Sequence, residues 1–157
     1  MQRYFLKRLV ALLPGVLLTL TASSQMTPHV AEGTFVVQMT PVADTTAGPL
    51  TLGELQVTKT FSGGLTGTGT GRMLTALTPE EGSAGYVLIE VVTGTLQGKT
   101  GGFALQHSGL MDLGSPALTI AIVPGSGSGE LVGIRGTFGL EIVGGEHRYT
   151  LRYTLPG

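Results

Sequence analysis

The stretch Thr137-Phe138-Gly139-Leu140-Glu141-Ile142-Val143-Gly144-Gly145-Glu146-His147-Arg148-Tyr149-Thr150-Leu151-Arg152-Tyr153-Thr154-Leu155 decides the fold. In its second half Tyr149, Leu151, Tyr153 and Leu155 alternate with Arg148, Thr150, Arg152 and Thr154. Successive side chains of a strand point to opposite faces, so this alternation is that of a half-buried antiparallel strand. Thr137 to Val143 is its partner, because Gly144-Gly145 is a two-residue connection that tolerates the positive φ angles of a tight hairpin.

Working outward, the same signals recur throughout the chain after Gln25. Short runs of Thr, Val, Ile, Phe and Tyr, bounded by glycine-rich turns, predict eight strands: Gly33 to Thr40, Leu50 to Phe61, Gly67 to Thr78, Ala84 to Leu96, Gly102 to Met111, Ala117 to Val123, Ile134 to Val143 and Glu146 to Leu155. Helix periodicity is almost absent. Short connections between successive strands favour an eight-stranded antiparallel up-and-down β-barrel, which leaves no edge free to pair with another chain.

A repeated motif supports closure. Gly94-x-Leu96-x-Gly98-x-x-Gly101-x-Phe103 recurs as Gly129-x-Leu131-x-Gly133-x-x-Gly136-x-Phe138, and Gly63-x-Leu65-x-Gly67 echoes its first half. The physical reading is a reused turn whose leucine tucks over a barrel end. The loop Pro124 to Gly129 is rich enough in glycine to suggest a phosphate cradle, but the lysine and following helix of such sites are missing.

The first 24 residues have a different character. Arg3, Lys7 and Arg8 precede the apolar run Leu9 to Leu20, and a small polar stretch with a plausible Ala22-x-Ser24 cleavage site follows. That order is an export signal, and a run of about a dozen apolar residues interrupted by Pro14 is short for a permanent membrane anchor. The expected organisation is a signal peptide over 1–24, a short linker over 25–32 and a β-barrel domain over 33–157, secreted or periplasmic. Without cysteine there is neither a disulfide nor a lipid-attachment thiol, so stability rests on the core. Beyond Ser24 six basic residues face ten acidic ones, which disfavours nucleic acid as a partner.

Several segments together resemble the domain-of-unknown-function 3224 family. They include Lys59-Thr60-Phe61-Ser62-Gly63, Gly82-Ser83-Ala84-Gly85-Tyr86-Val87 with Glu90, Val92-Thr93-Gly94-Thr95-Leu96 and Phe103-Ala104-Leu105-Gln106-His107-Ser108-Gly109. Val123-Pro124-Gly125-Ser126-Gly127, Gly129-Glu130-Leu131-x-Gly133 and His147-x-Tyr149 follow in order. The resemblance implies a fold similar to the allene oxide cyclase barrel and implies no reaction. Most members of the family begin close to the first strand, so the export signal is an addition here.

Candidate chemistry follows from parity. On Ala84 to Leu96, Val87, Ile89 and Val91 share one face while Tyr86, Leu88, Glu90 and Val92 share the other. A strand apolar on both sides, in a barrel with one interior, points to a homo-oligomer. With the aliphatic set outward, Glu90 points inward, where an unpaired carboxylate is costly. Its candidate partners are Arg72 and either Gln106 or His107, which cannot both face inward. Glu90 is the weak catalytic candidate, as general acid or base beside Tyr86 and His107. The ligand-binding candidates are Arg72, Tyr86, Glu90, Gln106, His107 and Tyr149.

His29, His107 and His147 are scattered, with no second ligand at metal spacing, so neither a metal nor another cofactor is expected. The functional expectation is an exported barrel that binds a small apolar molecule. The alternatives are an isomerase or cyclase working in the same cavity, or a purely structural or interaction module.

Overall fold

In the computed structural model, residues 26–156 are described, and the expected export signal lies outside them. Nine strands form in chain order: β1 (Met26–Ala47), β2 (Leu50–Gly63), β3 (Leu65–Leu77), β4 (Ala84–Leu96), β5 (Lys99–Asp112), β6 (Ser115–Ile122), β7 (Ser128–Gly129), β8 (Arg135–Val143) and β9 (Glu146–Pro156). All pairings are antiparallel. The sheet runs β4-β3-β2-β1-β9-β8-β6-β5, and a β4–β5 pairing joins its two ends, so eight strands close into a ring. The two-residue β7 is a small addition against β5.

The eight expected strands are the eight of the ring. The largest difference lies at the start, where β1 already begins at Met26, within the stretch read as a linker, and pairs with β9 from Met26↔Pro156 onward. Pro28 and the exposed side chains around it masked a strand held chiefly by backbone pairing.

Three hairpins have two-residue turns with positive φ at both central positions: Gln97-Gly98, Leu113-Gly114 and Gly144-Gly145. This turn matches the right-handed twist of the flanking strands. Gln97 is held in its uncommon conformation from three sides. Its backbone N–H donates to the Gly64 carbonyl at 2.8 Å, its side-chain amide donates to the Val30 carbonyl at 2.8 Å, and its Oε1 accepts from the Tyr153 hydroxyl at 2.7 Å.

These bonds tie off the end of the ring where the glycine motifs lie. Gly67, Gly94, Gly101 and Gly129 stand opposite one another across successive pairings. A Cβ at Gly94 would run into the Thr66 carbonyl, so the strands approach here as only glycine permits. The three motif leucines, Leu65, Leu96 and Leu131, are buried beneath this girdle with Ile134 and Leu155, as the repeat predicted. The glycine-rich loop before β8 is likewise structural. Ser126 Oγ donates to the Val123 carbonyl at 2.6 Å and accepts from the Ala104 N–H at 3.0 Å.

Above this plug, Phe35, Phe61, Phe138 and Tyr149 fill the middle, with ring centroids 5.2–6.3 Å apart. Edge-to-face and offset contacts of this kind stabilise beyond their buried area. The opposite end of the ring is different. Met39, Leu77, Met111 and Ile142 lie on the same strand faces as buried residues further down, yet they are 50%, 51%, 39% and 63% exposed. That end is a mouth with an apolar lining.

The wall also has a weak seam. β6 and β8 meet at one ladder pair, Ala121↔Thr137, and beyond it towards the mouth they part. A groove of about 440 Å³ occupies the place where their ladder would continue.

Candidate functional site

β2, β3, β4 and β5 bring one polar cluster into the apolar interior. Alternation along β2 puts Val57, Lys59 and Phe61 inside and leaves Thr58 and Thr60 on the other face. On β4 it puts Leu88, Glu90 and Val92 inside, and on β5 it puts Leu105 and His107 inside. Lys59 Nζ lies 2.6 Å from Glu90 Oε2, and His107 Nε2 lies 3.1 Å from the same oxygen. All three residues are buried, Glu90 completely.

Space for the carboxylate comes from β3, where Gly69 and Gly71 face it: a Cβ on Gly69 would collide with Glu90 Oε1. The Lys59 ammonium also sits over the Phe35 ring, 4.9 Å from its centroid, which gives a desolvated cation a second favourable contact. Burial pushes the Glu90 carboxyl up. The hydrogen bond from His107 and the positive charge of Lys59 outweigh that and hold it below its ordinary value. Glu90 is therefore an ionised carboxylate at neutral pH. Both contacts fall on Oε2, and the buried Oε1 has no hydrogen-bond partner among the described residues.

The sequence candidates divide cleanly. Glu90 points inward with His107, while Val87, Ile89 and Val91 point outward, each about half exposed. Gln106 is on the outer face, which resolves its alternative with His107. Arg72 is not a partner of Glu90: it lies on the outer face of β3, where its Nη1 pairs with Glu54 at 2.7 Å. The reason is parity, since Arg72 alternates with the inward Gly71 and Met73.

Tyr86 is half-buried with its ring against Gly109, nearer the mouth than Glu90, and burial raises its hydroxyl pKa. Tyr149 belongs to the core. Its hydroxyl accepts from the Leu65 N–H at 2.8 Å and points its own hydrogen between the carbonyls of Ser62 and Leu65. His147 packs on Phe35 with centroids 5.0 Å apart, and His29 stacks on Tyr153 at the plugged end.

Lys59 is the member that sequence reasoning missed. The signal was present, because it is the one charged residue on the apolar face of its strand. Among the described residues no three His, Asp or Glu side chains converge as a metal ion requires. Glu90 and His107 have an ammonium as their third neighbour, which repels a cation. What the cluster holds is a fixed negative charge with one unpaired acceptor oxygen, sealed from solvent and packed against Gly69.

Comparison with known proteins agrees with this fold. Residues 31–153 match the family model described as a protein of unknown function, DUF3224. A crystal structure of a protein of unknown function from that family, from Shewanella oneidensis MR-1, is similar with a TM-score of 0.77 and 42% identity, covering 85% of this chain and 100% of that one. No curated protein matches. Nearly the whole ring thus lies within the matched region, and the chain belongs to the DUF3224 family.

Proposed function

We propose that this protein binds a small, largely apolar molecule in the mouth of the ring, with the Lys59–Glu90–His107 cluster as a polar floor. The observation that carries this reading is the difference between the two ends. One end is plugged with leucines, while at the other Met39, Leu77, Met111 and Ile142, on the inward faces of their strands, stay exposed. Binding sites are mostly apolar with a few placed polar groups, and the buried Lys59, Glu90 and His107 set such a group below the open half. The aromatic packing lower down restricts the ligand to the open half.

Native mass spectrometry of protein purified from its own host tests this. A retained small molecule is expected, and Leu77→Asp combined with Met111→Asp should release it. No retained molecule together with no saturable uptake of an apolar fluorophore such as anilinonaphthalene sulfonate would reject the reading.

A second reading is an isomerase or cyclase working in the same mouth, with Glu90 as its general acid or base beside Tyr86 and His107. The expected export, to the periplasm or the medium, would place either activity outside the cytoplasm. Self-association is proposed through the outer face of β3, β4 and β5, where Leu74, Val87, Ile89, Val91 and Leu110 are all exposed.

A further inference from the structure

The seam between β6 and β8 is a second concavity, in the wall of the ring on the mouth side of Ala121↔Thr137. Leu118, Ile120, Phe138 and Leu140, on the inward faces of β6 and β8, belong to its lining. Ile120 and Phe138 belong to the buried core, whereas Leu118 is 40% exposed, so this part of the lining is apolar and continuous with the interior. Extending the register from Ala121↔Thr137 would set Thr119 opposite Gly139, yet the two are not paired. The wall is therefore open where every other neighbouring pair in the ring is zipped over a run of residues.

The outer rim of this groove carries both signs: Glu141 of β8 lines it opposite Arg148, while Arg152 lies further along β9, opposite Thr137. Arg148 and Arg152 stand four positions apart on the exposed face of β9, with Thr150 between them on that face. Arg148 is neutralised by Glu146, whose Oε2 lies 2.7 Å from its Nε. Arg152 stands opposite Thr137, at the pair where the seam begins to open, and has no carboxylate partner among the described residues. A guanidinium with free donors at the lip of an apolar slot selects for shape and charge together.

We propose that the seam binds a free amphiphilic anion, with a carboxylate-like head on Arg152 and an alkyl tail running inward over Leu118, Ile120, Phe138 and Leu140. This goes beyond the reading of the mouth and does not depend on it, because the head group and the tail contacts are different.

Titration calorimetry of host-purified protein with decanoate and decan-1-ol tests it. Decanoate should bind saturably, and decan-1-ol at least about tenfold more weakly, since a hydrogen bond to a charged partner is worth roughly that factor. Arg152→Gln should weaken decanoate about tenfold and leave decan-1-ol unchanged, while Leu118→Asp should weaken both. Both positions are exposed enough for the variants to fold, which circular dichroism checks.

Unchanged decanoate affinity in Arg152→Gln overturns the proposal, as does an absence of saturable binding. Loss of decanoate in Leu77→Asp but not in Leu118→Asp also overturns it and leaves the mouth reading standing. Binding seen only to phosphatidylglycerol vesicles, and not to dispersed decanoate, overturns it in favour of a lipid surface. Loss of the host molecule from the mouth variants with decanoate binding intact supports both sites as separate.

Discussion

Lys59 Nζ and Glu90 Oε2 are 2.6 Å apart in a ring whose other buried side chains, His107 apart, are those of the hydrophobic core, and the residues that carry them are 31 positions apart in the chain. A buried ion pair is weak evidence for stability by itself, because desolvation offsets much of the attraction. Breaking one is another matter, since the partner is then stranded in a low-dielectric interior.

Lys59→Met should therefore destabilise the protein by about 3 to 5 kcal/mol, and Glu90→Gln should do the same by leaving the ammonium unpaired. The double variant Lys59→Met with Glu90→Gln should be less destabilised than the sum of the two. Urea melts of the three proteins measure this, and strict additivity would show that the pair is not coupled.

The same pair sets a pH dependence. Glu90 titrates below its ordinary value of 4.5 in the folded protein, so its contribution to stability is fully present above that value and is lost as the pH falls through the lower folded value. Thermal melts between pH 6 and acid should show a decline that begins below about pH 4.5 and is smaller in Glu90→Gln. An identical decline in the two proteins would assign acid sensitivity to other carboxylates.

Tyr149→Phe isolates the role of its hydroxyl. It removes the acceptor of the Leu65 N–H, 2.8 Å away, without changing the ring that packs on Phe61 and Phe138. The expected cost is about 1 to 3 kcal/mol, the penalty of an unsatisfied buried donor. Amide hydrogen exchange should accelerate at Leu65, and exchange unchanged there would show that the hydroxyl does not hold the β2–β3 turn.

Ile89→Lys tests self-association. Ile89 is 51% exposed on the outer face of β4 between Arg72 and Gln106, so the substitution leaves the interior untouched. Light scattering should report smaller species than for the unaltered chain, because an interface centred on β4 would bury an unpaired ammonium. A chain that is monomeric to begin with would remove the oligomer from consideration.

The sequence by itself determined the strands and their order. Period-two alternation and glycine turns are local signals, and with eight short-looped strands they lead to a closed ring, as in the hairpin around Gly144-Gly145. It also put Glu90 on the face opposite Val87, Ile89 and Val91, but with both faces of β4 largely apolar the inward side was settled only by the closed ring. Which groups meet Glu90 was decided only by tertiary structure. Arg72 and Lys59 are both cations on strands close to β4, and only the register and parity of each strand send one outward to Glu54 and the other inward to the carboxylate. Likewise, nothing local distinguishes Leu118 or Met111 from residues of a filled core. Whether an inward side chain finds a partner across the ring depends on how far each strand runs and where two neighbours fail to pair, and the chain settles that only on closing.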